Sequence, residues 1–313
     1  MKRFLVASTL LKSFTCLLLA GGGLFAQDAK HPEKPLLWKV DGKGLERPSY
    51  LFGTIHLGAE EVTTLHPEAR KAFESADAVY TEVPMDAASQ LAAAPMMMRK
   101  DGQALNDALG EEISARLDEE LKLINPALDS TAFQPLATWV VGMSLPLLPD
   151  QLAGRKALDI VLWEEAAAAG KKTGAIETLA SQLAIFTEMA EEEQVIMLSE
   201  TMRLLKEDRE KDRNSVGDLT AAYVTGDVDK IEAQMQRSMK EMAESEHKDL
   251  GEKFMKRLLA DRDVTMAATI AEILSKEPGS VHFFAAGAGH FSSKTSIRSH
   301  LEKAGYTVTR IGG

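Results

Sequence analysis

Two copies of one short pattern constrain this chain more than anything else in it: Gly53-Thr54-Ile55-His56 and Gly287-Ala288-Gly289-His290. Each follows an apolar run with strand character, Tyr50-Leu51-Phe52 before the first and Val281-His282-Phe283-Phe284-Ala285-Ala286 before the second. A strand that ends in a glycine turn carrying a histidine presents an imidazole at its C-terminal end. In open α/β sheets that edge is where ligands sit. Glycine three residues ahead of each histidine lets backbone and ligand approach closely. Two such turns, far apart in sequence, point to one site built by converging strands. Imidazole is both a common metal ligand and a ready acid or base.

The rest of the pattern is α/β at both ends and helical between. Leu36 to Val40 and Ser49 to Phe52, joined by Asp41-Gly42-Lys43-Gly44, read as a β-hairpin. A helix over Pro67 to Ser75 and a strand over Ala78 to Val83 follow, giving a βαβ pattern in which Glu82 closes the strand. Residues 88–275 read as a large helical insertion, with one short strand near Lys171 to Glu177. Within it, Lys156 to Ala169, Leu179 to Met202, Thr220 to Met242, Lys248 to Leu259 and Val264 to Leu274 carry helical patterning. A strand, a helix from Ser292 to Ala304 and a closing strand from Tyr306 to Ile311 end the chain. The expected fold is α/β (α+β): a split mixed sheet with an N-terminal hairpin and a helical insertion, residues 27–313 forming one domain.

Residues 1–26 stand apart. Lys2 and Arg3 precede a mostly apolar run that Ala26 closes, which reads as a secretory leader cleaved after Ala26. An uncleaved membrane anchor is the alternative. The single cysteine, Cys16, lies in this leader, so the remainder has no disulfide, thiol nucleophile or cysteine ligand. That suits a bacterial periplasm or secretion by a Sec-type route, with no stable membrane insertion once the leader is gone. The chain has 313 residues, 36 Lys plus Arg against 47 Asp plus Glu, and a net charge of −11, which argues against nucleic acid or an anionic membrane as partner. Oligomeric state is not legible.

His56, His290 and Glu82 are the candidate metal ligands. A carboxylate at the end of an apolar strand needs a partner to be buried, and a metal or a histidine supplies one. Two imidazoles and a carboxylate leave coordination positions open, as a catalytic metal requires. Glu82 is also a candidate catalytic group. Arg262 could hold a substrate carboxylate or a developing oxyanion, or form a surface ion pair. Asp159 and Glu177, each among apolar neighbours, could orient a ligand histidine, and Glu177 could instead cap the helix that starts at Leu179. His66 reads as a helix start before Pro67, His282 as a hydrogen-bonded core residue, and His31, His247 and His300 as exposed. Trp38, Trp139 and Trp163 read as core. No phosphate-cradling loop, Gly-x-Ser-x-Gly elbow or His-Glu-x-x-His helix is present.

These residues resemble the TraB/PrgY/GumN family, whose animal members include the Tiki proteins. The resemblance runs from Leu37-Trp38 and Tyr50 to Gly58, through Val79 to Val83, Leu158-Asp159, Ile176 to Leu179 and Gln182, to Ala286 to Phe291 and Gly305 to Val308. It implies that paired Gly-x-x-His motifs and a glutamate, here His56, His290 and Glu82, form a metal-dependent hydrolytic site. Manganese or cobalt rather than zinc would be the ion, and the substrate a peptide or protein. It also implies a fold related to the erythromycin-esterase and ChaN-like group. The family tends to carry Arg-Asn where this chain has Arg262-Asp263, and leucine where it has Phe291. The expected function is an exported metal-dependent hydrolase of peptide or amide bonds. The alternatives are a metal- or haem-binding protein without turnover and an accessory protein of polysaccharide export.

Overall fold

The computed structural model describes residues 31–243 and 247–312. The expected leader, residues 1–26, lies outside them. Six strands form one mixed sheet in the order β4-β3-β5-β2-β1-β6: β1 (Leu37–Asp41), β2 (Ser49–Thr54), β3 (Ala78–Thr81), β4 (Lys172–Ala175), β5 (His282–Gly287) and β6 (Thr307–Ile311). The expected hairpin is present, with β1 antiparallel to β2 from Leu37↔Phe52 to Val40↔Ser49. β6 adds antiparallel to the other side of β1. β2, β5, β3 and β4 are all mutually parallel.

The order departs from the simplest reading of the βαβ pattern. β2 and β3 follow each other in sequence but are not neighbours. The strand encoded near the C-terminus, β5, lies between them, with Phe52↔Ala285 and Thr54↔Gly287 on one side and Val79↔Phe283 on the other. Local pattern finds strands but not their lateral order, because pairing partners this distant leave no periodic trace. β5 is apolar from Phe283 to Ala286, as the interior of a strand buried on both faces must be, and these four residues have no exposed surface.

The longer helices are α1 (Pro67–Ser75), α2 (Ala87–Met97), α3 (Leu105–Ile124), α4 (Thr138–Ser144), α5 (Leu158–Ala168), α6 (Leu179–Thr187), α7 (Glu191–Glu210), α8 (Ser215–Thr225), α9 (Val228–Ala243), α10 (Lys248–Met255), α11 (Asp261–Lys276) and α12 (Ile297–Lys303). α1 falls where expected. His66 caps it by accepting from the Glu68 N–H at 3.2 Å, with Pro67 at the first helical position. Two expected single helices are divided. The 179–202 run breaks between Thr187 and Glu191, and the 220–242 run breaks at Gly226, which takes the left-handed conformation (φ 63°) that ends a helix. α5 begins at Leu158, two residues after Lys156. No helix among the described residues is long and apolar enough to cross a membrane.

The main core joins both faces of the sheet to α1, α5, α11 and α12. Two smaller cores lie within the insertion, one between α3, α4 and α7 and one around Trp139, Phe186 and Phe254. Trp38 and Trp139 are buried, whereas Trp163 is only half-buried. Phe283 sits at the centre, with Phe52 at 5.3 Å and Phe73 at 5.5 Å between ring centroids. Phe283→Ala removes those contacts and leaves a cavity under the parallel strands. It is expected to cost about 3–5 kcal/mol of unfolding free energy in denaturant titration, and a loss below about 1 kcal/mol contradicts this packing.

Candidate active site

Parallel strands end on the same side, so the β2–β5 pairing brings the two histidine turns together. His56 stands two residues beyond β2 and His290 three beyond β5, and Thr54 and Gly287 are direct partners. The Ala288 N–H donates to the Thr54 carbonyl at 2.8 Å and ties one turn to the other. Glu82 follows β3 and Glu177 lies just past β4, with the Glu177 N–H bonded to the Glu82 carbonyl at 2.8 Å. Four neighbouring strands thus deliver His56, His290, Glu82 and Glu177 to one edge.

Gly287 marks the centre. A Cβ placed there would sit 3.1 Å from Glu82 Oε1, 3.7 Å from His56 Nε2 and 3.8 Å from His290 Cδ2. A hydrogen-only side chain keeps that space open. The Gly287 N–H also donates to Glu82 Oε1 at 2.6 Å. Close packing beside the first turn matters as well: a Cβ at Gly58 would meet Arg155 Cβ at 2.7 Å and the Lys156 carbonyl at 2.9 Å.

Each histidine is held from behind by a buried aspartate. His56 Nδ1 lies 2.9 Å from Asp159 Oδ2, and Asp159 Oδ1 accepts from the Thr54 hydroxyl at 2.6 Å. His290 Nδ1 lies 2.6 Å from Asp263 Oδ1. A carboxylate only accepts, so each Nδ1 carries the proton and each Nε2 lone pair is left for a ligand in the neutral ring. Asp159 rides on the first turn of α5, and Asp263 on the first turn of α11.

Glu82 is 3% exposed. Burial pushes its carboxyl up, but His290, His56, Arg262 and the Gly287 N–H outweigh that and hold it at about 2. Its Oε2 accepts from Gln182 at 2.8 Å and from Arg262 at 2.5 Å. Asp263 is pushed up by burial, opposed by its bond to His290. His56 is raised to about 9, first by the charge of Asp159, against desolvation. Its side chain is 57% exposed and is the least confined of the three.

Arg262 is not a surface group. Its side chain is 9% exposed and lies between Glu82 and Glu177. Nε donates to Glu177 at 3.0 Å, Nη2 bonds both Glu82 and Glu177, and Nη1 donates to the Leu258 carbonyl at 3.0 Å in the π-type turn Lys256–Ala260. Glu177 does not cap α6. Thr178 does, through its hydroxyl to the Ser181 N–H at 3.0 Å.

Of the other histidines, His300 lies near enough to Asp263 to oppose the rise of its carboxyl. His282 is fully buried at the opposite end of β5. His31 packs edge-on against His66, and His247 and His300 are half-buried rather than exposed. Sequence reasoning missed three contributors. Asp263 appeared only as a departure from a family pattern, Thr54 only as a motif filler, and Gln182 only as part of a matching stretch.

The edge gathers four carboxylates with side chains no more than 8% exposed, Glu82, Asp159, Glu177 and Asp263, against one guanidinium and the His56 imidazole, which is charged at neutral pH without an ion. A surplus of buried negative charge needs a cation. Two oriented imidazoles and an ionised carboxylate are donor types that suit a divalent ion. Among the described residues no group of three or more His, Cys, Asp or Glu side chains is placed closely enough to hold a metal ion.

The extent of the matching sequence decides the relationship. The model of the TraB/PrgY/gumN family matches residues 36–310. The chain belongs to that family. Metalloprotease TIKI1 of Danio rerio is 26% identical over 315 residues, covering 87% of this chain and 62% of its own length. Metalloprotease TIKI1 of Homo sapiens is 24% identical over 311 residues, covering 87% and 61%. The chain thus spans about three-fifths of the length of these relatives. An uncharacterized protein of Treponema pallidum is 22% identical over 308 residues and covers 96% of this chain and 90% of its own. No solved structure matches the chain.

Two outcomes check this geometry, the first in the metal-free protein. A raised folded pKa means that the His56–Asp159 pair stabilises the fold below the unfolded value near 6.5, and that this contribution is lost as pH rises through about 9. NMR titration should therefore show His56 titrating near 9, and Asp159→Asn should return it towards 6.5; an unchanged midpoint contradicts the pairing. Gly287→Ala places a methyl against Glu82 and between the histidines. Its circular dichroism should match the parent while divalent-ion affinity by calorimetry falls at least about tenfold; unaltered affinity contradicts a site centred there.

Proposed function

We propose that this chain is an exported metal-dependent hydrolase of peptide or amide bonds. The observation that carries it is the convergence of His56, His290 and Glu82 around Gly287, with a buried aspartate behind each imidazole. The names of the TIKI relatives, metalloproteases, support the same class. The resemblance favours manganese or cobalt over zinc, and the absence of cysteine outside the leader leaves a nitrogen and oxygen donor set. His56 Nε2, His290 Nε2 and Glu82 Oε1 would hold the ion.

When bound, a divalent ion supplies Lewis-acid polarisation of a scissile carbonyl. The chain's own residues prepare the site. Asp159 and Asp263 hold both Nδ1 protons and aim both Nε2 atoms. His56 carries a proton at neutral pH in the metal-free state, so ion binding releases it and tightens as pH rises. Glu82 stays ionised far below neutrality, so it can accept a proton at Oε1 only in a strongly driven step. Arg262 we assign to holding Glu82 against Glu177 rather than to an oxyanion, since its donors are engaged. Residues 27–313 would act as one domain in the periplasm or outside the cell, on a protein or peptide.

The test is a digest of a peptide library by protein stripped with chelator and then reloaded with Mn(II). Cleavage should vanish in chelator and return with the ion. His56→Ala should lower it at least about a hundredfold with circular dichroism unchanged. Tight stoichiometric ion binding with no peptide cut, or cleavage indifferent to chelator and to His56→Ala, refutes the assignment.

A further inference from the structure

A second concavity opens at the far ends of two helices that start at the active edge. α2 begins five residues after Glu82, and α6 begins two residues after Glu177 and carries Gln182, which holds Glu82. The two helices pack together. Their C-terminal ends, through Met96, Met98 and Thr187, line a cleft of about 300 Å³ whose remaining wall includes Ala137 and Trp139. Trp139 is stacked on Phe186, with centroids 4.9 Å apart and planes at 11°, so its position is fixed from behind.

The chemistry of the cleft selects its occupant. The charged residues at its rim, Arg99 and Lys100 against Asp101 and Glu191, balance. Arg99 is spent on Asp101, Glu191 and Thr138. Lys100 stays exposed at the rim with no ion-pair partner among the described residues, and beside it methionine and tryptophan present an adaptable apolar wall. α2 reinforces this. It is Ala- and Met-rich all round, yet Leu91 is 76% exposed and the C-capping Met98 40%. A surface helix normally turns a polar face to water.

Spacing connects the cleft to the site. Five residues of α6 from Gln182 to Thr187 span about 7.5 Å, and the length of α2 about 15 Å, at 1.5 Å per residue. An extended peptide advances about 3.3 Å per residue, so it covers that range in roughly two to five residues.

We propose that this cleft is a side-chain subsite for a large uncharged apolar residue, Leu, Met or Phe, lying two to five positions from the bond cut at the His/Glu centre. The proposal rests on the hydrolase reading and specifies its substrate: a peptide with an apolar anchor set back from the cleavage point.

Two measurements on the full chain test it separately from that reading. First, peptides differing only by Leu or Ser at each position around the cut are compared in the Mn(II)-loaded protein. A preference for Leu of about tenfold or more in kcat/KM at one position within that range is expected. Met98→Glu, a change at an exposed side chain, should collapse the preference to within about twofold. Second, N-acetyl-phenylalaninamide and N-acetyl-serinamide are titrated against tryptophan emission in the parent and in Trp139→Phe. A saturable change with the phenylalanine amide alone, absent in Trp139→Phe, supports the subsite even where no peptide is cut and the hydrolase reading fails. Cleavage without the Leu preference overturns the subsite while leaving the hydrolase reading intact. A flat titration overturns it whether or not peptides are cut, and so does an emission change with phosphatidylcholine vesicles and none with the amide, which assigns the apolar face to lipid.

Discussion

The site depends on the parallel pairing of β2 with β5. One register, Thr54 opposite Gly287, sets two glycine–histidine turns side by side although their histidines lie at positions 56 and 290. A slip of one residue would turn the side chains of β5 to the wrong faces and carry the second turn away from the first. The interior of β5 resists such a slip, because Phe283 and Phe284 are each locked into aromatic neighbours on opposite sides of the sheet. Core packing and site assembly are therefore the same constraint at two points along one strand.

Electrostatics then explains why the edge is arranged as it is. Glu82 has both oxygens engaged by hydrogen-bond donors: Gly287 on Oε1, and Gln182 and Arg262 on Oε2. Arg262 is in turn balanced by Glu177. The result is a carboxylate that stays charged while buried and whose orientation is not free to drift. The two aspartates do the same for the imidazoles from α5 and α11, so helices from the insertion supply the supports while strands supply the converging groups. The insertion between β3 and β5 carries Asp159, Glu177, Gln182, Arg262 and Asp263.

Much of this was legible along the chain. The hairpin, the α1 helix with its His66-Pro67 start, the short strand before Glu177 and both histidine turns follow from local rules of period and capping. Glu82 stood out because a charged residue at the end of Ala78-Val79-Tyr80-Thr81 has no local reason to be there. The lateral order of strands did not follow, since nothing in Phe52 or Val79 says that β5 will separate them. Asp263 escaped for a related reason. It is adjacent to Arg262 on one helix, and only the placement of α11 beside the second turn reveals that it reaches His290. The fate of Arg262 was likewise hidden: whether a guanidinium faces substrate or a pair of carboxylates depends on what the fold sets opposite it.

His56 and His290 are proposed to bind one ion together. Pulsed EPR of Mn(II)-loaded protein labelled with 15N-histidine counts the imidazoles on the ion directly. Coupling to two histidine nitrogens is expected, falling to one in His56→Ala and to one in His290→Ala. Coupling that survives intact in either variant, or an ion with no histidine nitrogen, would contradict it.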